Sequence, residues 1–219
     1  KEAKEYFEKL EELRVNYNWD ESTDKSITLA FQKNYADQRK EWLMEYDPNE
    51  ILEYKEPEVS ISDFIHRDLK HFSNDDLTRS VPSMIDGLKP SQRKIIYGAY
   101  LRGLEEHKIR MGIKVAQLAG FVSDKAAYHH GEASLAGAIV GLAGDYIWSN
   151  NINLLNPKGQ FGSRLMGDKG AASPRYIFTN IPTHTSLIFR KEDNPILKYN
   201  YDDGQKVEPV YYLPIIPLI

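Results

Sequence analysis

The chain has 219 residues, 41% hydrophobic and 27% charged, enough to bury one substantial core or a core with an appended segment. It has no cysteine, which excludes disulfides, thiolate nucleophiles and Cys-ligated zinc, and no apolar run approaching the ~20 residues of a membrane span. The net charge of −4 is unevenly spread: residues 1–62 carry 9 basic against 16 acidic side chains, residues 63–190 carry 16 against 11, and residues 191–219 carry 3 against 5.

A polyanion responds to local potential, so the basic centre is where one would sit; an imbalance of this size is equally compatible with an ordinary solvated surface. The charged start "KEAKEYFEKLEEL" does not read as a signal peptide, and the absence of cysteine fits a reducing compartment. In residues 1–16, Ala3, Tyr6, Phe7, Leu10 and Leu13 recur at helical spacing, which predicts an amphipathic helix. A second helix is expected from Tyr35 to Tyr46, burying Trp42, Leu43 and Tyr46. The polar, two-proline stretch Asp47 to Ser60 reads as a connector to a separate domain.

Ser62 is then a candidate N-cap for a helix with Phe64, Ile65, Leu69 and Phe72 on one face. Gly87 suits a turn, and Pro90 suits the first turn of a helix ending near Gly103. Two short helices, Lys114 to Val122 and about Glu132 to Leu142, flank a polar turn in a helix-turn-helix pattern. From Asn150 the Asn, Gly and Pro punctuation predicts hairpins or a wing, "PRYIFT" alternates as a strand, and Thr183 to Phe189 reads as a helix. A hairpin turning at Asp203-Gly204 follows, and the closing "PIIPLI" stops in mid-run, as an excerpt of a longer polypeptide would.

The chemistry concentrates in three places. In "GAASPRYIFT" a tyrosine follows an arginine. A phenol with an ordinary pKa near 10 needs a proton acceptor and positive charge before it can attack a phosphodiester, and Arg175 is a candidate donor to the developing phosphorane charge. On a regular strand Arg175 and Tyr176 would point to opposite faces, so the pair works only on irregular backbone; otherwise Tyr176 is a strand aromatic. "YHHGE", Tyr128 to Glu132, lacks zinc-helix spacing; its imidazoles suit either an anion at a helix N-terminus or simple capping and packing. Arg79, Lys89, Arg93 and Lys94 gather around a turn and a helix start, fit for phosphates or for a solvated face.

Seven motifs in order, "KEAKEYF", "LAFQKNYADQRKEWL", "SVPSMIDGLKPSQRKIIYG", "KVAQLAGFVSDKAAYHHGEASL", "SNNINLLNPKGQFGSR", "AASPRYIFT" and "VEPVYYLPIIP", make nearly the whole chain resemble the DNA breakage-reunion region of type IIA topoisomerases, on the eukaryotic-type branch. The resemblance implies an α+β fold. Residues 1–60 would end the TOPRIM region and form a helical linker, residues 61–190 a mainly helical winged-helix catalytic domain with a small β wing, and residues 191–219 the start of an α/β tower domain. It implies that Tyr176 attacks DNA and becomes linked to the 5′ end. Arg175, His130 and Arg79 would assist, and Lys89, Arg93, Lys94, His129, Gln117, Lys114 and Arg164 would hold DNA. The implied partners are double-stranded DNA, a second copy in a homodimer and the TOPRIM domain of the same enzyme. Mg²⁺ and ATP would be used at sites outside this chain, and the setting would be the nucleus, or a viral factory or virion for a viral member. "GDKG" departs from the usual order of the family's loop, so Asp168 and Lys169 inherit no contacts, and "EPVYY" replaces a more usual Glu-Trp pair. The alternatives of other classes are a non-catalytic winged-helix DNA-binding module and an adaptor whose basic centre binds acidic protein.

Overall fold

The computed structural model describes residues 2–54 and 57–218. The chain divides in space into two compact units, Lys1–Thr78 and Arg79–Ile219. In the first, the expected amphipathic helix forms in two pieces, α1 (Glu2–Glu8) and α2 (Leu10–Leu13), and neither buries a side chain. The helical periodicity holds, but its apolar face, Tyr6, Phe7, Leu10 and Leu13, remains exposed.

Strand β1 (Asn16–Asn18) is followed by α3 (Thr23–Phe31) and α4 (Ala36–Met44), which buries Trp42 as expected. The expected connector ends in a strand, β2 (Glu58–Ser60), which pairs in parallel with β1 in the register Tyr17↔Val59. The cap of the next helix is Ser60 and not Ser62, because the Ser60 hydroxyl accepts from the N–H groups of Ser62 and Asp63 at 3.1 and 3.3 Å. That helix runs as α5 (Ile61–Phe64), a π-helical turn over Ile65–Leu69, and α6 (Lys70–Ser80).

The spatial division falls after Thr78, within the last turn of α6. The inner face of this helix supplies the ties: His66 accepts from the Trp42 indole at 3.0 Å through Nδ1 and lies 3.0 Å from the Ser26 hydroxyl through Nε2, which assigns the proton to Nε2. Lys70 donates to the Glu45 carbonyl at 3.1 Å. Phe72, expected on the buried face, is exposed.

Asp20 joins the start of α3 to the start of α5. Its carboxylate accepts from the Ser22 N–H and hydroxyl, both at 2.7 Å, from Ser62 at 3.0 Å, and from Ser60.

The second unit is built on three helices, α7 (Pro90–Leu101), then β3 (Ile113–Lys114), α8 (Val115–Lys125) and α9 (Glu132–Ala143). Proline occupies the first turn of α7, where its missing N–H is not needed, and the Gln92 side chain accepts from the Lys89 N–H at 2.9 Å. Ile95 and Ile96 of α7, Leu118 and Val122 of α8, and Leu135 and Ile139 of α9 are fully buried. Each contributes roughly 1.5–3 kcal/mol of burial.

The wing is an antiparallel pair, β4 (Phe161–Ser163) and β5 (Gly167–Ala171), with a register shift between Phe161 and Ser163. The strand expected over "PRYIFT" is reduced to β6 (Phe178–Thr179), paired antiparallel with β3. Gly112 makes that pairing possible, since it sits at φ +73 and a Cβ there would lie 2.1 Å from the Thr179 carbonyl oxygen. Helix α10 (Thr183–Ile188) and the hairpin β7 (Tyr199–Asp202) and β8 (Gln205–Pro209) follow, turning at Asp203 and Gly204, both at positive φ, as a two-residue hairpin requires. Among the described residues no helix is long and apolar enough to cross a membrane.

Hydrogen bonds from Ser60, Ser22 and Ser62 hold the Asp20 carboxyl well below its ordinary 3.8. A carboxylate depressed in the folded state stabilises it above its unfolded pKa and loses that contribution as pH falls through the folded value. The denaturation midpoint of the chain, followed by tryptophan fluorescence, is therefore expected to fall as pH drops below about 4, and Asp20→Asn is expected to be less stable at neutral pH with a flatter acid limb.

Candidate active site

Pro174, Arg175 and Tyr176 form a tight turn, not a strand. The Tyr176 N–H donates to the Ser173 carbonyl at 2.9 Å, which places Pro174 at the second position of a β-turn, where its fixed φ is favourable, and Arg175 at the third. The alternation that would split the arginine and tyrosine between two faces is thereby lost. The Arg175 guanidinium carbon lies 6.0 Å from the centre of the Tyr176 ring.

The turn is fixed by what it does for α8. The first N–H groups of a helix have no partner inside it. Here the Val115 N–H donates to the Ile177 carbonyl at 3.0 Å and the Ala116 N–H to the Pro174 carbonyl at 3.1 Å. Ile177 is buried beneath, Lys158 pairs with Phe178 beyond, and Tyr176 is left 70% exposed. Among the described residues its hydroxyl has no hydrogen-bond partner and is open to an incoming group. Elsewhere burial pushes the Tyr100 phenol up to about 12 and that of Tyr212 well above the ordinary value, and the hydrogen bond to Asp168 raises Tyr146.

A recess of about 220 Å³ adjoins the turn. Ser173, Pro174 and Arg175 line one side, Ala116 and Ala119 of α8 another, and Glu132, Ala133 and Ala136 of α9 the third. The start of α9, directly after the two histidines, thus faces the same space as Arg175. His130 is exposed, its ring edge-on to Tyr128 at 5.5 Å, and the exposed His129 reaches Asp202 at 3.2 Å.

The basic residues divide into two groups. Lys114 and Gln117 are exposed at the start of α8, and Arg164 is exposed in the turn of the wing. Lys89 is half-buried as the residue preceding α7, and Arg79 is exposed in the last turn of α6. Arg93 and Lys94, expected to hold DNA, are turned inward instead. Arg93 is 5% exposed and pairs in bidentate fashion with Asp86 at 2.7 and 2.9 Å while also donating to the Leu88 carbonyl at 3.0 Å. Lys94 donates to the Ala126 carbonyl at 2.5 Å and to buried Glu208 at 2.7 Å. Both cations are engaged in folding, Arg93 by a carboxylate seven residues before it and Lys94 by one 114 residues further along the chain.

Comparison with known proteins agrees with this architecture. The DNA gyrase/topoisomerase IV family, in its A-type subunits, matches residues 79–219, and the C-terminal associated domain of TOPRIM matches residues 1–77. The chain belongs to the type IIA DNA topoisomerases. It is 50% identical to DNA topoisomerase 2 of Bombyx mori and 49% identical to that of Arabidopsis thaliana, in each case over the whole of this chain. It covers 15% and 14% of those relatives. Among solved structures, the DNA-binding, cleavage and re-ligation domain of Plasmodium falciparum topoisomerase II superposes with a TM-score of 0.76 at 43% identity, over 99% of this chain and 29% of that one. The two matched families meet where the topoisomerase chain divides in space, at Thr78 and Arg79.

Two residues carry weight that their sequence context hides. Asp86 looks like an ordinary turn aspartate in "MIDG", and its only signal is an arginine one helical turn into α7. Glu132 stands out only as the end of "YHHGE"; the alanines at 116, 119, 133 and 136, spaced to leave room between two helix faces, are the available sign of a recess beside it. Removing one partner of a buried pair strands the other, so Arg93→Ala is expected to cost about 3–5 kcal/mol in denaturant unfolding, as a reporter of a core role. A loss below about 1 kcal/mol, in the range of an exposed cation, would refute that assignment.

Proposed function

We propose that this chain is the part of a type II DNA topoisomerase that carries the DNA-cleaving tyrosine, with residues up to Thr78 closing the TOPRIM region, those from Arg79 to about 190 forming the catalytic winged-helix part, and 191–219 opening the tower domain. The observation that carries the reading is the turn that presents Tyr176 to solvent beside Arg175 while its carbonyls cap α8.

In this reading the Tyr176 hydroxyl gives up its proton to a nearby acceptor, with His130 the candidate on this chain, and its oxygen bonds to a DNA phosphorus. The bond to the 3′ oxygen breaks, that oxygen leaves and takes up a proton, and the 5′ phosphate stays on the tyrosine. Arg175 donates to the phosphorane oxygens as charge develops on them. The exchange is between esters of similar energy, so the freed 3′ hydroxyl reverses it and reseals the strand. Each protomer of a homodimer cuts one strand, and a second duplex passes through the break. Lys114, Gln117, Arg164, Lys89 and Arg79 remain as candidates for holding the duplex.

Among the described residues no three His, Asp or Glu side chains converge as a metal site. The Mg²⁺ and ATP of the complete enzyme belong, in this reading, to other parts of it, and none of the steps above runs through them. The setting is the nucleus, or a viral compartment if the gene is viral.

Tyr176→Phe in the complete enzyme is expected to abolish covalent protein–DNA adducts while leaving duplex affinity intact; adducts formed by that variant would refute the assignment. Lys114→Ala and Arg164→Ala are each expected to weaken binding across sequences and to reduce the salt slope of log K by about 1, measured by anisotropy titration.

A further inference from the structure

The turn between α8 and α9 that carries the two histidines is held from outside at three points, and all three lead to the β7–β8 hairpin. The Gln205 side chain donates to the Lys125 carbonyl at 3.0 Å. Lys94 donates to the Ala126 carbonyl at 2.5 Å and is itself fixed by Glu208 of β8 at 2.7 Å, and Asn200 of β7 donates to the same carboxylate at 3.3 Å. Asp202, at the end of β7, lies 3.2 Å from His129 Nε2. Locally, the Tyr128 N–H donates to the Ser123 carbonyl at 3.2 Å, the Ser123 hydroxyl to the Tyr128 carbonyl at 3.0 Å and the Tyr128 hydroxyl to Ser134 of α9 at 3.2 Å, while Ala126 is buried in the core; among the described residues the His129 ring itself is met only by the hairpin.

The turn needs the support. Ala127 sits at φ +47, a left-handed conformation that a residue with a Cβ adopts only where its surroundings over-determine it. The hairpin is in turn tied to α7, where Tyr97 packs edge-on to the Tyr199 ring at 6.4 Å, and the Lys206 ammonium stands 3.4 Å over that same ring. A segment 73 residues further along the chain thus holds the histidine turn at its start and at the His129 ring.

We propose that the β7–β8 hairpin is a brace for the cleavage centre, with Asp202 and Gln205 as positioning residues that hold the His129–His130 turn in register with the Tyr176 turn. The inference rests on the reading of Tyr176 as the nucleophile and His130 as part of its site. Asp202 and Gln205 touch neither DNA nor the reacting atoms in this reading; they act through the backbone at Lys125 and the ring of His129.

The test uses the complete enzyme, with single-turnover adduct formation on an end-labelled duplex. Asp202→Ala combined with Gln205→Ala removes both tip contacts and leaves the buried Lys94–Glu208 pair in place, so melting and duplex affinity are expected to be unchanged. Adduct formation is expected to slow on the order of tenfold, as a small misplacement of a reacting constellation does. In a His130→Ala background the same tip substitutions are expected to add little, because one effect acts through the other. Asp202→Asn, which keeps an acceptor oxygen for His129, is expected to recover most of the rate lost in Asp202→Ala. An undiminished rate in the tip variant, or an equal further slowing in the His130→Ala background, would overturn the proposal. Tyr176→Phe is the control that separates the two readings: adducts in that variant remove the nucleophile assignment, whereas an inert Tyr176→Phe with a normal tip variant removes the brace alone.

Discussion

One carboxylate holds the second unit together. Asp86 is fully buried and takes four hydrogen bonds, two from Arg93, one from the Leu88 N–H at 3.0 Å and one from the Tyr212 N–H at 2.9 Å. It therefore joins the turn before α7, α7 itself, and the segment beyond the hairpin. A buried ion pair is weak evidence for stability in itself, since desolvation offsets much of the attraction. What this one supplies is position: a bidentate fork has one good geometry, and the two backbone donors fix which chain segments can share it. With α7 set, Ile95 and Ile96 face α8 and α9, and the three-helix core follows.

Upon that core the site needs little additional machinery. The helix that has to be capped and the turn that has to be held are each other's solution, because the carbonyls of Pro174 and Ile177 are the partners that Val115 and Ala116 lack. An exposed tyrosine on a free loop would sample many positions, and ordering it at the moment of reaction would cost conformational entropy. Held on a helix terminus by its own peptide groups, Tyr176 carries its backbone order from folding onward. The same arrangement fixes the distance between the arginine beside it and the alanine-lined recess at α9.

The legible parts of the fold are those whose signals are local. Pro90 at a helix start, the 3.6-residue spacing through α7, α8 and α9, the glycine-rich wing and the Asp203-Gly204 turn all appear where their residues predict them, because each depends on neighbours a few positions away. What the sequence conceals depends on partners far along the chain. β2 is three residues long and becomes a strand only because β1 lies beside it. Lys94 looks like any surface lysine until Glu208, 114 residues further on, comes to meet it. The tyrosine motif misleads in a different way: its alternation suggests a strand, while the proline that decides for a turn looks like no more than an upstream break. The family likeness is legible in full, because it rests on ordered motifs and not on any one conformation.

Burial also revises what the basic centre means. Of its cations, Arg93 and Lys94 neutralise buried carboxylates, Lys108 pairs with the buried Glu105 at 3.0 Å, and Lys158 is turned onto the Arg110 carbonyl. An ammonium already satisfied by a carboxylate offers a phosphate little, so the excess counted along the sequence overstates the potential at the surface. The cations that stay exposed include Lys114 at a helix start, Arg164 at the tip of the wing and Arg175 beside the exposed phenol. Phosphate contacts fix the register of a bound duplex without reading its sequence, so what such cations would add to the proposed function is alignment and not specificity.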